Sequence, residues 1–549
     1  MRVVLLQARY KLYFMKNTLL SALAVALFLT PTVICAQAPS LGTAANFVLF
    51  STNGAVTNSG NSLLTGNVGT NNGSNTGFGN VNGQMHSSDG VTAQAAADLL
   101  IAYNLLNATI STDAHAPLLG GGETLEAGIY AIGAAATLDG SLTFDAQNDP
   151  NAVFIVKIQG AFATTANSSI ILTNGALACN IFWKVEGMVN MASGSTMRGT
   201  IIANNGAITM NTDDVLEGRA FSTTGAISVD GVKSSTPIGC GSAVLTGPVA
   251  PVLASTECFA LFSGSGAVTN AGITIVKGDV GTNTGLTTGF QAENVTGTIH
   301  PNPDTATAQA AADLALVYTY LNTLPTDIEL LYPAQFGNNL VLTPHTYLMN
   351  AATVFVGEVY LDAQGNNDAV FVIKINGALS TATFAKVNLI NGTQSKNVYW
   401  KIDGAVGINS NSIIKGTLVG NNGAVDLATG VDLDGRAFST TGTLTTNAVT
   451  AIMPLGCPNL GVGTIVKDNS VSIYPNPFTT SVTIMVNDAV ELNKAQITLY
   501  DMLGRQVKTA AMTQQSTTIS TDTLPSGVYF YKVIADGKII QSGKLVSKQ

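Results

Sequence analysis

The sequence predicts a mainly β chain of two tandem β-solenoids, each with one long side helix, followed by a small β-sandwich. Three observations predict it: the composition, a duplication of some 200 residues, and a change of character near residue 458. The 549 residues carry 10% charged side chains, 46% hydrophobic ones and 56 glycines. An average soluble chain has about 25% charged residues. Low charge with high apolar content excludes a disordered chain. Acids outnumber bases 33 to 24, which excludes a basic nucleic-acid footprint.

The first segment reads as an export signal. Lys16 precedes an apolar run from Leu19 to Leu29 and small residues up to Ala36, with cleavage expected after Ala36. That run is about half of the ~20 residues a membrane span needs. Residues 1–36 are therefore assigned as a signal peptide, and Ile34 is too large to precede a lipidated Cys35.

The repeat sets the next boundaries. Phe47-Val48-Leu49-Phe50-Ser51 with Gly54-Ala55-Val56-Thr57-Asn58 returns as Phe259-Ala260-Leu261-Phe262-Ser263 with Gly266-Ala267-Val268-Thr269-Asn270. Thr92–Leu99 returns intact as Thr307–Leu314, and 16 of 29 positions match between Gly199–Ile227 and Gly416–Leu444. The solenoids are placed at residues 40–242 and 255–457, with a linker at 243–254. In the first copy Ala96, Leu99, Leu100, Tyr103 and Leu106 keep helical spacing; in the second, Pro325 closes the helix. The rungs are Val153–Gly160, Ile181–Gly187, Gly199–Asn205 and Gly218–Thr224. Each is followed by a second strand: Ala161–Ala166, Met188–Ser193, Ala207–Thr212 and Ala226–Asp230. Rungs about 19–27 residues apart, turned by Gly and Asn, argue for a solenoid over a sandwich. The helix is expected along one solenoid face, because Val153-Phe154-Ile155-Val156 is apolar on both sides.

Chemistry is sparse. His86 and His300 recur without a second ligand at metal spacing and read as hydrogen-bonded loop or cap residues. Glu217-Gly218-Arg219, recurring as Asp434-Gly435-Arg436, reads as an ion pair at a rung corner. Asp213-Asp214 becomes Gly430-Val431 in the second copy, so an acid/base pair there is private to one copy. No nucleophile elbow or phosphate loop appears; no enzyme activity, metal or cofactor is expected. Cys179 with Cys240, and Cys258 with Cys457, are expected to form one disulfide per copy.

Alternation along the second strands turns Phe162, Thr164, Val189, Met191, Ile208, Met210, Ile227 and Val229 inward. Facing out are Ala163, Thr165, Asn190, Ala192, Thr209, Asn211 and Ser228, joined by Thr57 and Ser59 of the opening coil. In the second copy the same face reads Thr269, Ser380, Ala382, Gly407, Asn409, Asp426, Ala428, Thr445 and Asn447. Rungs about 4.8 Å apart, with alternate residues ~6.6 Å apart, make a flat grid that can order water into a lattice. Ice suits such a surface. Asp426 puts a charge in the second face, so the first copy is expected to bind better. The first strands suit ice less well, because Lys157, Lys184, Lys374 and Lys401 project there.

Both copies resemble the ice-binding protein family of bacteria, fungi and algae. The repeated openings above carry the resemblance, with Gly66–Asn71 and Gly278–Asn283, the Trp183 and Trp400 strands, and Gly-Arg-Ala-Phe-Ser-Thr-Thr-Gly. The resemblance implies an irregular right-handed solenoid with three faces, one of them adsorbing to ice, and a monomer is expected. A carbohydrate-binding or cell-surface adhesin solenoid is the alternative.

After a linker at 458–470, residues 471–549 read as short alternating strands of a small Ig-like sandwich. Tyr474-Pro475-Asn476-Pro477, the Tyr500-Asp501-Met502-Leu503-Gly504 turn, Leu524-Pro525-Ser526-Gly527-Val528-Tyr529 and Lys544-Leu545-Val546 resemble the type A sorting domain of type IX secretion. That resemblance implies Pro475, Asn476, Pro477, Gly504, Gly527 and Lys544 as the sorting signal. It also implies the type IX machinery as partner and release or display at the cell surface.

Overall fold

The computed structural model describes residues 37–240, 244–454, 471–486, 495–502, 504–535 and 538–548. The signal peptide, the 458–470 linker and Cys457 lie outside them. The chain divides into two compact units, Met1–Leu455 and Gly456–Gln549.

Each solenoid is built from parallel strands in two sheets, one of fourteen strands and one of eight. A coil carries three strands, one more than the sequence pattern suggested. Phe154–Ile158, Phe162–Thr164 and Ser169–Thr173 lie on successive faces. In later coils the third and first strands fuse, as in Thr196–Ala203 and Val215–Ser222, and bend at Gly199, whose φ is +101°. A Cβ at Gly218 would collide with the Gly199 carbonyl, so both corners need glycine.

The coils are not stacked in chain order. On the first face the strands run Met85–Ser87, Asn67–Thr70, Phe47–Ser51, Val215–Ser222, Thr196–Ala203, Ile181–Val185, Phe154–Ile158, Gly128–Ile132, Asp113–Ala114. The chain therefore starts mid-stack, winds to one end, crosses to the other and winds back to close against its own first strand. Helix α1, Gly90–Ala108, makes the crossing. Eight strand spacings are about 38 Å; nineteen helical residues supply about 28 Å and the flanking segments the remainder.

Helix α1 is capped by Asp89, which accepts from Thr92 N at 2.8 Å while Thr92 Oγ1 accepts from Asp89 N at 2.9 Å. Its buried stripe is Thr92, Ala95, Leu99, Ala102 and Leu106. Of the residues expected on this stripe, Leu99 and Leu106 are buried and Ala96 and Tyr103 pack at its edge, whereas Leu100 points outward and is 55% exposed. Under the helix lie Val153, Ile155, Phe182, Ile202 and Phe221, whereas Phe154, Val156 and Trp183 fill the solenoid interior. The first-face strands are thus covered on both sides, as their apolar runs anticipated. Helix α2, Thr305–Thr323, repeats this in the second copy with Asp304 and Thr307 as its cap, and Pro325 follows the C-cap residue Leu324.

The lysines expected to project from the first strands are buried under the helix ends. Lys157 Nζ donates to the carbonyls of Asn107 and Thr109 at 3.0 and 2.7 Å, and Lys374 Nζ to those of Asn322 and Leu324 at 3.1 and 2.7 Å. A buried ammonium at a helix C-terminus satisfies orphan carbonyls and complements the dipole. Lys184 pairs with Glu186 and Lys401 with Asp403 beside them.

Cys179 and Cys240 form a disulfide with Cα atoms 6.0 Å apart, tying the closing segment to a mid-stack coil. Cys258 is also disulfide-bonded.

The second unit pairs a three-stranded and a four-stranded antiparallel sheet around Phe478, Val482, Ile484, Leu499, Val533 and Leu545. The Tyr474–Pro475 and Asn476–Pro477 peptides are cis, and Asn476 donates to Lys544 O at 3.1 Å and accepts from Val546 N at 2.9 Å. Asp501 closes its turn on Arg505 N at 2.9 Å, with Gly504 at φ +77°.

Candidate functional site

The eight-stranded sheet of the first solenoid is one side of the prism. Its strands stack as Asn75–Thr76, Val56–Ser59, Ile227–Asp230, Ile208–Met210, Val189–Met191, Phe162–Thr164, Ala136–Asp139, Leu118–Gly120. Register sets Thr76, Thr57, Ser228, Thr209, Asn190, Ala163, Thr137 and Leu118 opposite one another in sequence. These eight form one outward column, about 34 Å long at ~4.8 Å per strand. Thr57 Oγ1 donates to Ser228 Oγ at 3.3 Å within it. All the inward residues named from alternation are buried.

A second column runs beside it. Ser59 lies opposite Asp230, and Asn211, Ala192 and Thr165 continue the line towards Asp139. Asn211 does not present its amide outward; it donates to Met191 O. Thr165 Oγ1 donates to Asp139 at 2.7 Å and Thr212 Oγ1 to Asp230 at 3.2 Å. The first face is therefore not free of charge.

In the second solenoid the column reads Thr288, Thr269, Thr445, Asp426, Gly407, Ser380 and Val354. Ala271 and Asn447 pair in the flanking column, where Asn409 donates to Thr381 O. Asp426 is exposed and accepts from Thr445 Oγ1. With Asp139 and Asp230 opposite it in the balance, Asp426 alone no longer ranks the two faces.

Sequence reasoning missed Thr76, Thr137, Leu118, Thr288 and Val354. Their strands lie outside the four aligned rungs, and Asn75–Thr76 and Thr287–Thr288 are two residues long. Gly133-Ala134 before Ala136–Asp139, like Gly54-Ala55 and Gly225-Ala226 before their strands, was the available signal for Thr137; Leu118 and Val354 have no such Gly-Ala pair before them. A Cβ at Gly206 or Gly225 would overlap the glycine backbone one coil below, so this corner stacks glycine on glycine through Gly54, Gly225, Gly206 and Gly187. Beneath the face, Phe162 stacks on Trp183 at 5.3 Å, and Trp183 Nε1 donates to Arg198 O at 2.8 Å. A packed interior and a backbone ladder hold the columns flat.

The remaining titratable groups are structural. His86 Nδ1 lies 2.7 Å from Asp89 and His300 Nδ1 2.6 Å from Asp304, so each steadies a helix cap. The carboxylates of Asp279, 4.0 Å from Nε2, and Asp304 raise the His300 pKa. Glu217 pairs with Arg198 on the next strand instead of Arg219, and Asp434 with Lys415 at 3.5 Å. Arg219 donates to Ala45 O at 2.9 Å and burial lowers its pKa to about 10. Asp214 accepts from Ser195 N and Asn211 N at 2.9 and 2.7 Å, and burial raises its pKa to about 6. Burial raises the Glu186 pKa, but hydrogen bonds from Asn204, Lys184 and Tyr103 outweigh it and leave the value lowered. Among the described residues no group of three His, Cys, Asp or Glu is placed to hold a metal.

Residues 50–234 and 262–451 match the family model described as ice-binding-like. The chain belongs to this ice-binding-like family. An ice-binding protein of Nostoc sp. is 39% identical over 199 residues, 36% of this chain and 73% of its own. Ice-binding protein 1 of Shewanella frigidimarina is 30% identical over 255 residues, 41% of this chain and 28% of its own. The crystal structure of an ice binding protein from an Antarctic Flavobacteriaceae bacterium is 64% identical, with a TM-score of 0.76, and covers 77% of this chain and all of that one. Residues 472–548 match the secretion system C-terminal sorting domain. The ice-binding-like solenoids are thus joined to a type IX export signal, which sends the chain to the medium or the outer surface.

Proposed function

We propose that this chain adsorbs to ice through the eight-stranded faces of its solenoids and acts without catalysis, as a single chain. The observation that carries the reading is the outward column Thr76, Thr57, Ser228, Thr209, Asn190, Ala163 and Thr137, small methyl, hydroxyl and amide groups on one ladder, with the bulkier, exposed Leu118 only at its end. Ser59, Thr165, Ala192 and Asn211 border it, and Thr269, Ser380, Asn409, Thr445 and Asn447 form the counterpart surface. Carboxylates at Asp139 and Asp230 are turned onto threonine hydroxyls.

Water held at ladder spacing, with methyl groups caged and hydroxyls hydrogen-bonded, merges with the lattice at low ordering cost. Adsorbed molecules pin the ice surface, which must bulge between them and stops growing at a lower temperature. Partitioning the fluorescently labelled full chain between a slowly grown ice hemisphere and the residual liquid tests this. Enrichment in the ice supports the reading. Exclusion from ice, with binding on a glycan array, transfers the face to carbohydrate.

A further inference from the structure

The two solenoids meet end to end, with the end strands of the first set against the end strands of the second. Three contacts define this junction, one for each side of the prism. On the first side, Gln84, just before the end strand Met85–Ser87, donates to Asp327 O at 2.7 Å, just before the second solenoid's end strand Ile328–Glu329. On the eight-stranded side, Asn80 accepts from Tyr332 N at 2.9 Å and donates to Tyr332 O at 3.1 Å, next to Phe336–Gly337. There Gly77 and Gly337 line the same notch of about 610 Å³. On the third side, Leu63–Thr65 lies beside Leu340–Leu342.

At the centre Asn82 is buried. It donates to Thr343 Oγ1 at 3.1 Å and accepts from Tyr347 Oη at 2.7 Å. The linker is fastened too, with Thr246 O accepting from Val370 N at 2.9 Å and Leu245 O from Asn366 Nδ2 at 3.0 Å.

Like sides meet at all three edges, so the solenoids stand head to tail with corresponding sides adjoining: the Met85–Ser87 end of the first meets the Ile328–Glu329 end of the second. The geometry points to a single composite ice-adsorbing plane of sixteen strands, on the order of 75 Å long, with the Asn80–Tyr332 junction as its seam. This rests on the reading of the faces given above.

Two domains on a flexible tether meet ice as separate binders joined by an effective concentration. Here the seam has already removed their relative freedom. The faces are presented together, and no further ordering cost falls on the second to land.

The test uses the full chain in four forms: unchanged, Thr209→Tyr, Thr445→Tyr, and both substitutions together. A fifth form, Asn80→Ala/Asn82→Ala/Gln84→Ala, cuts the seam while leaving both faces intact. Thermal hysteresis is read at equal molarity, and the bound plane by etching single ice crystals. The composite plane predicts that the unchanged chain exceeds the sum of the two single-face variants. It predicts that the seam variant, with unchanged far-ultraviolet circular dichroism, falls to that sum, and that both single-face variants etch the same plane. Simple additivity with an unaffected seam variant, or two different etched planes, overturns the composite. Full activity in the doubly substituted chain overturns the face reading itself. If the seam variant does not fold, the etched planes of the two single-face variants decide the matter.

Discussion

Thr209 sits near the middle of the first face, between Asn190 and Ser228 on the flanking strands. A tyrosine there reaches about 4 Å farther from the sheet than a threonine, more than the ~2.8 Å of one hydrogen-bonded water layer. Ice can no longer meet the neighbouring positions at the same height. Some four positions then lose their ordered-water contacts, at roughly 0.5–1 kcal/mol each, about 2–4 kcal/mol in all. At 1.4 kcal/mol per decade, adsorption weakens roughly 30- to 700-fold. The assay is thermal hysteresis of the full chain in a Thr445→Tyr background, where the first face alone is open. Thr143→Tyr on the third side, where Thr143 pairs with Thr124 and Ile171, is the control of equal bulk. Both are surface changes, expected to alter stability by no more than about 0.5 kcal/mol. Activity kept by Thr209→Tyr and lost by Thr143→Tyr would move the site to another side of the prism.

Cys240→Ser opens a loop with 61 residues of sequence separation and is expected to lower stability by about 2–4 kcal/mol, read from denaturant melts. Gly206→Ala places a Cβ against the Gly187 backbone and is expected to lower the melting temperature by several degrees, whereas Gly133→Ala, with open space at its Cβ, leaves it unchanged. Asp214 has its native pKa raised to about 6, so the folded state holds a proton that the unfolded chain has lost above pH 4. Its stabilising contribution is present below the unfolded value of 3.8 and disappears as pH rises through 6, at most about 3 kcal/mol. Asp214→Asn is expected to remove that part of the slope of stability against pH. Asp89→Ala removes the α1 cap and is expected to cost about 1 kcal/mol in thermal unfolding.

The duplication, the helix, the inward residues and the outward pattern of the second strands were all legible, because each leaves a periodic trace. Thr92–Leu99 recurs because each part has work in the fold. Thr92 closes the cap, Ala95 and Leu99 are buried, and Asp98 accepts from Thr43 N at 2.7 Å. The stacking order left no such trace. Phe47–Ser51 pairs with Val215–Ser222 across some 170 residues, a contact no local pattern announces. The matching of Thr57 to Ser228 held because it rested on the repeated Gly-Ala corner. The lysines were misplaced because alternation tells one side of a strand from the other, and on the first face the far side is roofed by a helix. Partner choice also escaped: Glu217 and Arg219 are near in sequence, yet Arg198 on the next strand takes the carboxylate.

Adsorption to ice is read most directly by nanolitre osmometry on the purified full chain, with one ice crystal held just below its melting point. Adsorption through the solenoid faces gives a gap between melting and freezing that widens with concentration, and a faceted crystal. A round crystal that grows freely at every concentration, from protein whose circular dichroism shows a folded β structure, would contradict it.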